Sequence, residues 1–159
     1  MQKRLLLFVI LLNLTANISA QNKDEISIRN VLKRQTNAWN KGDLQQYMQG
    51  YWQNDSLMFI GKSGITYGWQ KTLENYKKGY PDTDAMGQLN FELLQVKKLS
   101  VNYYFVVGKW NLVRSIGNVG GSFTLLFCKI KNTWSSFQTI AVNDYQFILR
   151  VLSTPSTSF

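Results

Sequence analysis

An α+β fold is predicted by a change of hydrophobic period along the chain. In the first half, apolar residues recur mostly at helical spacing, as in Ile28, Val31, Leu32 and Trp39. From Leu89 onward they alternate, as in Tyr104, Val106, Trp110 and Leu112. Glycine and proline punctuate the change at Gly79-Tyr80-Pro81 and again from Ser115 to Gly121. Helices followed by a run of strands argue for α+β rather than alternating α/β. With 159 residues, 45% hydrophobic and 14% aromatic, the chain suits one domain with a real core.

Asp24 to Asn40 is predicted to be the first helix. Ile28, Val31, Leu32, Gln35 and Trp39 fall on one face, with Ala38 beside them. Arg29, Lys33 and Lys41 lie toward the other face. Asp24 and Glu25 occupy the first turn, where negative charge suits the helix dipole. Gly42 then suits a C-terminal cap and Asp43 an N-cap for the next turn. Leu44 to Trp52 reads as a short aromatic helix, Ser56 to Ile60 as an apolar strand, and Ile65 to Tyr67 as its return. Gly68 to Lys78 is a third helix with Trp69, Leu73 and Tyr76 on one face, ended by Gly79 and Pro81. Pro81 to Asp84 reads as a loop.

Three long strands follow. Leu89, Phe91, Leu93 and Val96 point one way, with a bulge where alternation slips at Leu93-Leu94. Tyr103 to Arg114 has Tyr104, Val106, Gly108, Trp110 and Leu112 on one face. Phe123 to Lys131 is the third, and Asn132-Thr133 turns the chain into Trp134.

Met1 to Ala20 is predicted to be a secretory signal peptide. Lys3-Arg4 is a basic start, Leu5 to Leu12 an apolar run, and Ile18-Ser19-Ala20 a small-residue end. The run is short of the roughly 20 apolar residues of a membrane span, so no stable membrane anchor is expected after cleavage. The expected location is secreted or periplasmic. The net charge is +9, of which Lys3 and Arg4 supply two units. The other basic residues are scattered, from Lys62 and Lys71 to Lys129 and Lys131, as on a solvated surface; no nucleic-acid partner is expected. Cys128 is the single cysteine, and its apolar strand suits buried packing. There is no histidine, which removes the commonest general base and metal ligand. No metal site and no cofactor are expected.

Ala38-Trp39-Asn40, Gly42-Asp43-Leu44, Asp55-Ser56-Leu57 and the span from Gly64 to Gly68 carry a family resemblance. Together they resemble the SnoaL-like branch of the nuclear transport factor 2-like superfamily, closest to its secreted members. The resemblance covers about Asp24 to Trp134 and rests on spacing and turn signals, not on a catalytic signature. It implies a cone-shaped α+β fold with about three N-terminal helices packed on a curved antiparallel sheet and a pocket at the wide end. Members include cyclases, isomerases, dehydratases and binding modules, so the fold leaves the function open. Many relatives dimerise through the sheet, which makes a homodimeric interaction module a further reading.

The candidate ligand pocket comprises Trp39, Trp52, Phe59, Trp69, Tyr76 and Trp110, with Tyr47 and Tyr51 beside them. Aromatics lining a concave site suit a small apolar or aromatic ligand. Any one of them alone also reads as core. Asp55 stands at the start of the first strand, where enzymatic relatives can carry a base, and Tyr47 or Tyr51 could polarise a carbonyl. Asn54-Asp55-Ser56 is equally a good turn. Arg114 ends the middle strand and suits either an anionic ligand group or the surface. Two readings of function therefore stand: a secreted small-ligand-binding domain, and a small isomerase-, cyclase- or dehydratase-type enzyme.

The domain proper is taken as residues 21–134, and residues 135–159 as an atypical tail. The family's tryptophan at this place opens an apolar last strand ending in a Ser-Asp-His-Ser-like motif. Here the chain continues Ser135-Ser136-Phe137-Gln138-Thr139-Ile140. Restoring one G after the Trp134 codon permits Trp-Val-Ile-Val-Ser-Asp-His-Ser, so the tail reads as an out-of-frame product. The other reading is a genuine divergent tail, with Tyr145 to Leu152 as an apolar strand. A sheet lacking its last strand would expose an edge.

Overall fold

The computed structural model describes residues 23–143. The expected signal peptide and the run from Tyr145 to Leu152 lie outside the described residues. Residues 23–39 form α1, and its predicted inner face is the buried one, with Ile28, Val31, Leu32, Gln35, Ala38 and Trp39 all inside. At the turn after it, Gly42 takes φ +76°, a left-handed conformation that favours glycine. Asp43 then caps α2 (Leu44–Tyr47), its Oδ1 accepting the Gln46 N–H at 2.8 Å. A 3-10 turn (Met48–Gly50) follows. The second helix is thus shorter than predicted, and Tyr51 is already extended.

Strands β1 (Met58–Gly61) and β2 (Gly64–Tyr67) form a hairpin, and α3 (Trp69–Gly79) follows. The expected loop after Pro81 contains a single helical turn, α4 (Thr83–Met86), capped by Asp82 Oδ1 accepting the Ala85 N–H at 2.8 Å. Strands β3 (Gln88–Lys98), β4 (Tyr103–Val113), β5 (Val119–Ile130) and β6 (Thr133–Asn143) make an antiparallel meander. The register of β3 slips between Leu93 and Gln95, at the predicted bulge. Lys131 and Asn132 both take positive φ, which suits the two-residue turn joining β5 to β6.

The sheet has six strands in the order β2-β1-β6-β5-β4-β3, and it is curved and unclosed. It is mixed, not antiparallel as expected. β6 lies between β5 and β1 and runs parallel to β1, pairing Met58 with Gln138 and Ile60 with Ile140. The parallel pair arises because the chain returns to β1 only after the whole meander. Residues 135–143, expected to be atypical, thus form a central strand.

The concave face of the sheet carries two buried clusters. Ile28, Val31 and Leu32 of α1 pack on Tyr104, Val106, Phe127 and Trp134. Trp39, Leu44, Met48, Leu57, Trp69, Leu73 and Met86 pack on Leu89 and Leu112. The start of α1 is tied down by Asp24, which accepts from Lys129 Nζ at 2.9 Å and from Trp134 Nε1 at 3.2 Å. Cys128, expected to be buried, is half-buried on the convex face, opposite Tyr103 in the register. Alternation along β5 turns Phe127 inward and therefore Cys128 outward.

Candidate functional site

Between the two clusters the concave face leaves a cavity of about 320 Å³. Each wall follows from an element already described. Helix α1 supplies Leu32, Gln35 and Trp39, which recur on one face at intervals of three and four. Tyr47 comes from α2, Tyr51 from the extended residue after it, and Thr72 and Tyr76 from α3. The sheet supplies Phe91, Trp110, Leu112, Phe123, Leu125 and Thr139. The mouth is edged by the β1–β2 hairpin, with Lys62 exposed there.

The aromatic rings hold one another edge to face. Trp39 meets Tyr47 at 5.0 Å and Tyr80 at 4.8 Å between centroids, and Tyr76 meets Tyr47 at 5.3 Å and Phe59 at 5.7 Å. Each such pair contributes about 0.5–1.5 kcal/mol beyond its burial. At its centre three phenols converge: Tyr47 Oη lies 3.2 Å from Tyr51 Oη and 3.5 Å from Tyr76 Oη. Burial pushes the Tyr47 and Tyr76 hydroxyls well above the ordinary phenol value, and pushes Tyr51 up too. All three are neutral donors and acceptors at physiological pH. Gln35 is buried beside them and gives its Nε2–H to the Tyr47 carbonyl at 3.1 Å.

No family model matches this chain, and no curated protein matches it. A solved nuclear transport factor 2-like protein of unknown function from Shewanella oneidensis does, at 43% identity and a TM-score of 0.71. The match covers 76% of this chain and 98% of that one. The chain belongs to the nuclear transport factor 2-like family. Two more distant structures share this nuclear transport factor 2-like fold. A ketosteroid isomerase-like protein from Erwinia carotovora is 15% identical over 77% of this chain and 98% of its own, with a TM-score of 0.64. A nuclear transport factor 2-like superfamily protein from Salmonella enterica is 15% identical over 89% and 99%, with a TM-score of 0.61.

In this nuclear transport factor 2-like body, Trp39, Tyr47, Tyr51, Phe59, Tyr76 and Trp110 line the cavity. Trp52 and Trp69 do not. The helix that was to carry Trp52 ends at Gly50, so Tyr51 and Trp52 are neighbours in an extended segment and face opposite ways. Trp69 is core, its indole N–H given to the Met48 carbonyl at 2.8 Å. Asp55 is exposed on a turn in which Asn54 Oδ1 accepts the Ser56 N–H at 2.9 Å, and it does not line the cavity. It therefore stands outside the apolar lining and apart from the tyrosines it was expected to work with. Arg114 is taken up by backbone carbonyls, donating to Gly117 at 2.8 Å and to Ala85 at 3.4 Å.

Sequence reasoning missed Thr72, Tyr80, Thr139 and the polar role of Gln35. Only Gln35 left a signal, as a polar residue on an otherwise apolar helix face. Among the described residues, the lining holds no carboxylate, and no cluster could hold a metal ion. Among the same residues, no helix is long and apolar enough to cross a membrane.

Proposed function

We propose that this protein binds a small apolar or aromatic molecule in the cavity and holds it without transforming it. The observation that carries this reading is the lining itself: aromatic walls around three neutral phenols, with the one charged side chain, Lys62, at the mouth. Binding sites of this kind are concave and mostly apolar, with a few convergent polar groups. A volume of about 320 Å³ suits a ligand of two or three fused rings. Acid–base chemistry would need a group that ionises near neutral pH within reach of the ligand. The enzyme reading rests on Asp55, which would have to leave its turn to meet the tyrosines.

The test is thermal unfolding of the protein against a panel of flat aromatic molecules. A ligand at one hundred times its Kd stabilises by about 2.7 kcal/mol, which raises Tm by several degrees. A panel that leaves Tm unmoved would overturn the reading. If instead a compound is turned over and Asp55→Asn abolishes turnover but spares binding, the enzyme reading replaces it. The sequence of residues 1–20 supports export, so the ligand would be met outside the cytoplasm.

A second reading, a homodimer through the sheet, is supported by the convex face. Phe105, Val107, Leu126 and Ile140 stand half-buried on adjacent strands beside Tyr103, which is 41% exposed. These side chains are uncharged, and Lys97, paired with Phe105, and Lys109 flank them as a polar rim would.

A further inference from the structure

Deepening the ligand-binding reading, on which it rests, we infer that the cavity's ligand is an aromatic acid, with its ring body held over β3–β5 and its carboxylate left at the mouth beside Lys62. The observation is that the lining changes character across the sheet. In the strand order β2-β1-β6-β5-β4-β3, the far side of the lining is apolar. Phe91 comes from β3, Trp110 and Leu112 from β4, and Phe123 and Leu125 from β5. At the near side the β1–β2 hairpin supplies one ring, Phe59; its other lining residues are glycine or polar. Lys62 and Ser63 stand in its turn and Thr66 on β2. Asn75 of α3 joins that end, its Nδ2 donating to Thr66 Oγ1 at 3.2 Å. A lining graded in this way orients a ligand that is apolar at one end and polar at the other.

The sign of the polar end follows from the charges around the mouth. Lys62 is the one charged side chain in the lining. It is exposed, and among the described residues no hydrogen bond or ion pair engages it. Its ammonium stays in water on a flexible four-carbon stem rooted at the opening. The carboxylates nearest in sequence do not compete for that place. Glu74 lies outside the lining and meets Lys71 at 3.9 Å and Gln70 at 3.5 Å, and Asp55 stays on its own exposed turn. A ligand anion at the mouth keeps its hydration and gains the attraction of Lys62. The same anion among the rings would be an unpaired buried charge, which is costly.

The matched pair 2-naphthoate and 2-naphthamide tests this. The two share a shape, and at neutral pH the first is an anion and the second is neutral. Equilibrium dialysis at an ionic strength of about 0.01 M should show the naphthoate binding more tightly. Lys62→Met should lower the naphthoate-to-naphthamide affinity ratio about threefold, the size of an exposed ion pair. Lys33→Met removes the same charge from an exposed position outside the lining and should leave the ratio unchanged. In the parent protein the ratio should fall as salt is raised to about 1 M, where the screening length is about 3 Å. A ratio that Lys62→Met leaves unchanged, that falls as far in Lys33→Met, or that does not respond to salt would overturn the inference and leave ligand binding standing. Failure of both compounds to bind would overturn the inference and the binding reading together. The salt series on the parent decides even if a variant does not fold.

Discussion

Tyr47 Oη stands 3.2 Å from Tyr51 Oη inside a wall of aromatic rings, and Tyr76 Oη stands 3.5 Å from the same Tyr47 oxygen. Burial raises all three phenols above their ordinary value of 10.0, Tyr47 and Tyr76 furthest. The folded protein then keeps protons that the unfolded chain releases above about pH 10. Stability is at its full value below that pH and falls as pH rises toward the folded values. Denaturant unfolding at a series of alkaline pH values should show this decline. The double variant Tyr47→Phe, Tyr76→Phe should flatten it. Phenolate absorbance should report these two tyrosines ionising only as the chain unfolds.

Gln35 occupies the space that a side chain on Gly50 would need: a Cβ there would collide with the Gln35 Cδ and Nε2. Gly50→Ala should therefore cost about 1–3 kcal/mol by overpacking. Gln35→Ala alone should also destabilise, since it removes the bond to the Tyr47 carbonyl and leaves a void. In the double variant the clash disappears, so its cost should be smaller than the sum of the two. Strict additivity in urea unfolding would count against the packing described.

Asp24 is the hinge of a small clamp between α1 and the β5–β6 hairpin. Burial raises its carboxyl, but hydrogen bonds from Lys129 and Trp134, with the Lys129 charge, outweigh this and leave it below the ordinary 3.8. The unfolded chain therefore takes up the proton first on acidification. The clamp's contribution is complete above the unfolded value and fades as pH falls through the folded one. Asp24→Ala should cost about 1–2 kcal/mol at neutral pH. That difference should shrink toward zero in strongly acid solution, as read by unfolding at matched pH values.

How much of this was legible beforehand depends on the range of the forces involved. The inner face of α1 was visible because Ile28, Val31, Leu32, Gln35 and Trp39 share a local period, and each is buried. The Leu93–Gln95 slip was visible for the same reason. Tyr51 and Trp52 could not be separated, because a helix ending two residues early reverses which of the pair faces inward. Thr139 was invisible because it enters the cavity through the pairing of Phe59 with Thr139, across 80 residues of chain. No local pattern specifies a parallel partner at that distance.

The convex face offers a direct test of association. Phe105 and Leu126 are paired neighbours on β4 and β5, with Cys128 and Tyr103 the next pair along. If two copies meet there, sedimentation should show a dimer that dissociates on dilution. Phe105→Glu should shift the protein to monomer without loss of fold, because the residue is only half-buried. A strict monomer at every concentration would exclude this interface.

The strand β6 carries the final prediction, which concerns the gene. Two of its inward residues, Ser136 and Thr139, are polar yet 1% and 2% exposed, and their hydroxyls meet at 3.2 Å, while Trp134 and Ala141 on the same face are apolar. On the adjacent β5 the inward residues are Phe123, Leu125 and Phe127. Two buried hydroxyls in the middle of a central strand's inner face fit the proposal that the run after Trp134 is read out of frame. Restoring one G after that codon makes position 136 an NTC codon, which encodes only apolar residues and permits isoleucine, gaining about 1.5–3 kcal/mol of apolar burial. It permits aspartate at position 139, on the cavity wall with Tyr51. A carboxylate in such an apolar place has a raised pKa and could act as a base. A restored protein with aspartate at 139 should therefore be more stable than the present chain, and any turnover it shows should depend on pH. Sequencing codons 134 and 135 checks this first: a codon pair incompatible with the restored ending rules the frameshift out, and β6 is then native as it stands.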